Sequence, residues 1–497
     1  MGPTPPGPCC VTGSGTEAAA APGDAPPAPA GRTPRVLAIG LLGLGLALRL
    51  ATIGEDPLHP DECLYASWAA AVWPGGDWLL RGEVIDKPPL FPYLLMAWSQ
   101  LVGPGPAALR LLGAASSLVG LLCVFRIART VAGEWAGLAA LCLASLSPVA
   151  VALDASAFTD PPAVALALAS VMVAGLGRTT GAGLLLGLAL AAKPTALAFL
   201  PLALVMGPAR GRRATTRLLG GVAAVMVMVL VWEWARAPEV GFVAAALRHY
   251  GVGQDVAPDG SGWAALLRWI WGRPSMGLLW GLVVVAGGAA AWRRWTPPGR
   301  LLAGSLAAGV LYLAFQALLS APAWDRYLLP LVPLAALAVA GGIGALEKRF
   351  PRGPLPLGAV AGLLALLLLL APAQEAAQGR LPLGNTSAYQ GIESVAAYLR
   401  AQVPGRATVL YRDLGWHIRY YMAGFTQDFI WYQERERMLS VAESADPVLL
   451  LAVAGTTADE DVAQLRRSGW RVTPSLNTYR HDGTPALVLY LLAGEGR

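Results

Sequence analysis

The chain has 497 residues, 14% of them charged and 55% hydrophobic, with a mean hydropathy of +0.53. A soluble chain carries about a quarter charged residues, so this composition excludes a wholly water-exposed fold and calls for lipid. The net charge of +6 does not point to nucleic acid, because Arg and Lys sit in short clusters between apolar runs, where they orient a membrane protein.

In chain order, residues 1–34 are rich in Pro, Gly and Ala without an apolar stretch, and read as a disordered cytoplasmic tail. The first apolar run, 36–54, follows Arg32 and Arg35; it is too long for a signal-peptide core and carries no obvious cleavage site, so it reads as a retained span. Further apolar runs lie at 106–125, 135–153, 161–177, 181–192, 195–207, 217–235, 275–292, 300–320, 328–346 and 355–372, making about eleven spans. With the N-terminus inside, the cytoplasmic loops hold Arg126 and Arg129, then Arg178, then Arg210, Arg212 and Arg213, then Arg293 and Arg294, then Lys348, Arg349 and Arg352. Every even-numbered span ends at such a cluster, as the positive-inside rule requires. The two runs flanking Lys193 are about 12 residues each, short of the ~20 of a full crossing. Arg178 before them and Arg210 after them both favour the cytoplasm, so a hairpin of short helices with Lys193-Pro194 at its buried tip is expected. The expected architecture is an α-helical polytopic membrane domain over 35–372 and a soluble domain over 373–497. Cys9 and Cys10 fall in the tail, Cys123 and Cys142 in apolar runs and Cys63 in an outside loop, with no disulfide framework and no CxxC metal site.

On this topology the unexplained polar residues gather on the outside. Asp61-Glu62, with Tyr65, stands just after the first span; the alternative is an interfacial loop in which Trp68, Trp73, Trp78 and Tyr93 are headgroup anchors. Asp86-Lys87-Pro88-Pro89 sets an acid and a base before a stiff double proline, and a cation at a bilayer surface suits a phosphate as well as it suits a surface ion pair. Asp160, before Pro161-Pro162, also reads as a helix cap. Lys193 is harder to dismiss, since an ammonium in an apolar hairpin is costly unless a carboxylate or a phosphate meets it; the phosphate is the expected partner. Arg326-Tyr327 suits a snorkelling Arg and a belt Tyr, yet lies at the same membrane face.

The order and spacing of Asp61-Glu62 with Tyr65, Gly76-Asp77-Trp78, Lys87-Pro88-Pro89-Leu90, Asp160, Lys193-Pro194, and Arg326-Tyr327 with Pro330 resemble the lipid-dependent glycosyltransferases of the GT-C class. The resemblance is to the branch of protein O-mannosyltransferases and lipid A aminoarabinose transferases, and it covers roughly residues 36–372. It implies a GT-C type membrane fold, a polyprenyl-phosphate sugar donor, and Asp61 as general base, with Glu62 the next candidate. It implies Lys87, Lys193, Arg326 and Tyr327, with Tyr65 beside them, as the donor-phosphate group, and Asp160 as a second acid. Some relatives bind a divalent metal ion; the matching candidates here are Asp86 and His249, although Asp stands where those relatives have Glu. A carboxylate with a cationic cradle is a sufficient set for direct, inverting displacement, because a phosphate leaves without a general acid. The acceptor is a lipid, glycan or protein hydroxyl, and the expected location is the plasma membrane, multi-pass, with the site and C-terminal domain extracytoplasmic.

From about 385 the strands 407–411, 447–453 and 486–492 alternate with helical stretches around 390–402, 432–445 and 458–468, which reads as a small α/β domain. It has no phosphate loop, Walker motif or zinc spacing, and it suits acceptor recognition or a structural lid equally. Asn385-Thr386-Ser387 is a formal glycosylation sequon read as coincidental. A transporter or flippase of a lipid-linked sugar is the main alternative, though no inverted repeat is visible; a noncatalytic carrier-binding subunit is another.

Overall fold

The computed structural model describes residues 2, 32–54, 56–207, 211–249, 260–292, 295–318, 323–351, 355–381, 383 and 386–494. Of the expected tail, residues 2 and 32–34 are described, and the first helix already begins at Arg32, inside the range read as disordered; Asn385 of the sequon lies outside the described residues. Among the described residues each of the eleven predicted apolar segments is mainly helical, with 135–153 divided into Glu134–Ser145 and Pro148–Leu153. Seven helical segments among the described residues are long and apolar enough to cross a membrane: Thr33–Leu50, Pro106–Ala132, Arg212–Arg236, Pro274–Ala291, Pro297–Leu318, Asp325–Arg349 and Leu357–Ala377. Shorter apolar helices are Leu90–Val102, Glu134–Ser145, Asp160–Gly175, Thr179–Ala192 and Pro194–Met206. Leu331–Arg349, with its long run of Ala, Val and Gly, is the central, almost wholly buried helix.

Prolines set the breaks, because the residue before a proline is driven out of the α region. Lys193 precedes Pro194 and is extended, at φ −154° and ψ 122°. There Thr179–Ala192 ends, and the chain returns through the short turn Pro194–Phe199 and the helix Leu200–Met206. Asp160 meets Lys193 at the tip and Gly207 lies beside the Ala174 carbonyl at the other end, so the expected hairpin packs along Asp160–Gly175. Thr179–Ala192 and Arg212–Arg236 approach through glycine: a Cβ on Gly183 would sit 2.0 Å from the Leu218 carbonyl oxygen, and one on Gly221 2.7 Å from that of Thr180. Within the apolar bundle Arg49 is 1% exposed. Its Nε donates to Asp154 Oδ2 at 2.9 Å and its Nη1 to the Ser145 carbonyl at 2.9 Å, so the buried charge is paired and its donors are used.

The C-terminal domain holds strands β1 (Thr408–Tyr411), β2 (Asp428–Trp431), β3 (Val448–Val453), β4 (Trp470–Tyr479) and β5 (Pro485–Gly494), in the order β2-β1-β3-β5-β4. β1 runs parallel to β2 and β3, while β5 is antiparallel to β3 and β4. β3, Val448–Val453, is buried at every position, as its unbroken apolar run demands. Helices Ile392–Gln402, Arg435–Ser444 and Ala458–Arg467 match the predicted stretches. β2, β4 and the helix Gly415–Tyr421 are additions to the sequence reading. The two strands lack an apolar period because they are sheet edges, and β4 carries Pro474 and is bulged against β5.

Candidate active site

The helix Pro60–Val72 opens at a histidine cap. His59 Nδ1 accepts from the Asp61 amide at 3.1 Å, the Glu62 carboxylate accepts from the His59 amide at 2.8 Å, and Pro60 takes the first turn, where no amide is needed. That reciprocal cap turns Glu62 into the protein. It is 1% exposed and accepts from Arg110 Nε at 3.1 Å, Arg110 Nη2 at 2.8 Å and the Ala157 amide at 2.8 Å. Burial alone would raise its carboxyl, but Arg110 and the two amides outweigh burial and hold it below the ordinary glutamate value. Both Glu62 oxygens are engaged in this buried tie, and Glu62 does not line the cleft that holds Asp61.

Asp61, one residue earlier on the helix, faces the other way into a cleft with about 1080 Å³ of empty space. Three acid–base pairs line it. Asp61 pairs with Arg326; Lys87 Nζ lies 2.8 Å from Asp86 Oδ2 and Lys193 Nζ lies 2.6 Å from Asp160 Oδ1. Burial pushes the Asp61 carboxyl up, but Arg326, His59 and Lys87 together hold it below the ordinary aspartate value, so it is ionised at neutral pH. Arg326 belongs to the short turn Asp325–Leu328 that leads into the central helix. Its guanidinium carbon lies 5.3, 4.9 and 5.5 Å from the ring centres of Phe158, Trp324 and Tyr327, inside the range of cation–π attraction. Lys193 Nζ is 4.8 Å from the Tyr327 ring centre, and the Tyr327 carbonyl accepts from Tyr312 Oη at 2.8 Å. Tyr65 meets Phe91 edge to face at 5.0 Å. Phe242, Val243, Ala246, Leu247 and Phe315 form an apolar wall to the same space.

A family model described as dolichyl-phosphate-mannose-protein mannosyltransferase matches residues 86–234, which hold Lys87, Asp160 and Lys193. No curated protein matches the sequence significantly. Among solved structures, ArnT from Cupriavidus metallidurans in the apo state matches at a TM-score of 0.64 and 14% identity, over 92% of this chain and 98% of that one. The same protein bound to undecaprenyl phosphate matches at 0.63 and 15% identity, over 93% and 98%. The oligosaccharyltransferase of Archaeoglobus fulgidus, tethered to an acceptor peptide containing an NVT sequon, matches at 0.52 and 11% identity, over 92% of this chain and 74% of that one. The chain has the GT-C glycosyltransferase fold.

In this GT-C fold Asp61, Tyr65, Asp86, Lys87, Asp160, Lys193, Arg326 and Tyr327 all line one cleft, although they come from five separated stretches of sequence. Lys193 departs from expectation in having a fixed partner. Asp160 is 1% exposed at the start of its helix and meets the ammonium directly, because a carboxylate there is cheaper to bury beside a cation than alone. The two metal candidates divide. Asp86 Oδ2 accepts from Lys87, and Oδ1 is buried without a hydrogen bond; His249 ends the helix Phe242–His249 and its side chain lies outside the described residues. No group of three His, Cys, Asp or Glu among the described residues could hold a metal ion. Asp86 by itself offers one free carboxylate oxygen, whereas a divalent ion takes about six oxygen ligands. Arg110 was missed by the sequence reading, though its signal was available: an arginine within an apolar run needs a buried partner.

Proposed function

We propose that the protein is a membrane glycosyltransferase that takes a sugar from a polyprenyl-phosphate carrier and passes it, with inversion, to an acceptor hydroxyl. The observation that carries this reading is the meeting of Asp61 with Arg326, Lys193 and Lys87 in a single cleft that also has an apolar wall. With the cleft at the Lys193 tip of the short hairpin and Arg178 at its opposite end, the positive-inside rule favours an extracytoplasmic cleft, and the membrane proposed is the plasma membrane.

The donor phosphate enters among Lys87, Lys193 and Arg326, while Phe242, Leu247 and Phe315 take the first apolar units of the carrier. Arg326 turns from Asp61 to the phosphate. That exchange frees the Asp61 carboxylate, already ionised, to take the proton of the acceptor hydroxyl as its oxygen attacks the anomeric carbon. The bond from that carbon to the phosphate oxygen breaks and its electron pair stays on the phosphate, whose growing charge the three cations stabilise. Attack opposite the leaving group inverts the centre.

Lys193→Met separates the two roles of that ammonium. Leaving the buried Asp160 carboxylate without its cation is expected to cost about 3–5 kcal/mol, so the variant should melt below wild type without carrier. It should also lose most of the thermal shift that polyprenyl phosphate gives wild type; a normal shift would remove Lys193 from the phosphate group. The reading as a whole is tested with purified protein and a labelled polyprenyl-phosphate sugar. Label should pass to acceptor or water as polyprenyl phosphate accumulates. Label that stays on the lipid while the lipid changes leaflet would replace this reading with a flippase.

A further inference from the structure

The helix Gly415–Tyr421 grips both arms of the cleft, and His481 of the same C-terminal domain adds a contact to Asp56, its Nε2 2.9 Å from Oδ1. On the Asp61 arm, the Leu58 amide donates to Tyr421 Oη at 2.9 Å and the Leu58 carbonyl lies 2.9 Å from His417 Nε2. Leu58 is 0% exposed, so water cannot serve either group: the amide depends on Tyr421, and the carbonyl has, besides His417, only the weak Cys63 Sγ donor at 3.9 Å. Leu58 immediately precedes His59, the cap whose Nδ1 fixes the Asp61 amide. On the Lys87 arm, Arg419 pairs with the buried carboxylate of Glu83, in the loop that runs on to Asp86 and Lys87. Between the two, Tyr420 Oη donates to the Pro104 carbonyl at 2.7 Å. Trp416, Tyr420 and Tyr421 pack on the cluster that contains Leu58, Tyr65, Ile85 and Phe91. His417 is buried, which holds its imidazole at about 4, so it is a neutral ring that can give Nε2–H to Leu58.

None of His417, Arg419 and Tyr421 lines the cleft. A surface for reading an acceptor would keep its polar groups open, whereas these are spent on the membrane domain. We infer that the C-terminal domain is a positioning clamp, in which the helix Gly415–Tyr421 sets the Asp61 arm against the Lys87 arm through Leu58 and Glu83. The inference rests on the reading of Asp61 as base and of the cleft as the donor site. His417, Arg419 and Tyr421 are positioning residues; they touch neither substrate nor reacting atoms.

Tyr421→Phe removes one hydroxyl and keeps the ring, and Arg419→Gln removes the charge that holds Glu83. Because small misplacement of a reacting group is costly, Tyr421→Phe should lower kcat about tenfold with donor KM little changed. Arg419→Gln acts on the lysine arm and should instead raise donor KM, and Arg419→Lys should restore it. Hydrogen exchange at 56–65 should quicken in Tyr421→Phe, and at 83–89 in Arg419→Gln. If wild type turns over donor while both variants keep kcat and KM within about twofold, the clamp is wrong and the transferase reading stands. Activity lost only in step with folded protein, with kcat per folded molecule and KM unchanged, also overturns it. A wild type without turnover sinks the transferase reading itself, and unchanged exchange in both segments would then sink the clamp separately.

Discussion

Asp61→Asn is expected to lower turnover by at least about 100-fold, the smaller end of what a positioned base contributes, while the protein stays folded and still binds its carrier. The amide matches the carboxylate in shape but cannot take the acceptor proton. The fold should tolerate the change, because Arg326 keeps its aromatic neighbours Phe158, Trp324 and Tyr327 and its access to the cleft. Carrier binding should be as tight as in wild type or tighter, since in wild type Arg326 must leave Asp61 to meet the phosphate. Initial rates with labelled donor and the thermal shift by polyprenyl phosphate check the two halves separately. A variant with more than about a tenth of wild-type turnover would show that Asp61 is not the base.

Arg110→Met should be the most destabilising single change at the site. It leaves the Glu62 carboxylate, 1% exposed, without its cation, and it removes the donors that serve the Asp56 and Pro57 carbonyls at 2.7 and 2.9 Å. Breaking a buried pair from one side costs about 3–5 kcal/mol. Replacing both partners, as Arg110→Met with Glu62→Leu, should recover much of the loss, because no buried charge is then stranded. Thermal unfolding in detergent without carrier checks both, and an unchanged midpoint in Arg110→Met would contradict the tie. Acid should mimic the single variant. The folded Glu62 carboxyl sits below its ordinary 4.5, so its contribution is full above that value and is lost as pH falls through the lower folded value.

What the sequence made legible follows from the physics of each feature. Apolar runs and Arg clusters are local and one-dimensional, so the helical segments could be read in order. The Lys193 hairpin was legible because a proline breaks the helix where the charges also demand a return. The cleft residues were legible as charges with no reason to stand beside lipid. The inward turn of Glu62 was not, because neighbouring residues on a helix point about 100° apart, and the partners that hold Glu62 inside, Arg110 and Ala157, come from distant segments. The same holds for Lys193, whose Asp160 partner comes from another helix. The helix Gly415–Tyr421 escaped notice because it is short, and its meaning lies in Leu58 and Glu83, more than three hundred positions away in sequence. Long-range pairing leaves no period in a single chain.

The proposed reaction requires the donor phosphate to take Arg326 from Asp61 and so free the base. The decisive measurement is a structure of the protein with polyprenyl phosphate bound. The phosphate should lie within hydrogen-bond distance of Arg326, among Lys87 and Lys193, with Asp61 parted from Arg326 and open to the acceptor side. A phosphate bound outside this cleft, or one bound within it while the Asp61–Arg326 pair stays closed, would contradict the account.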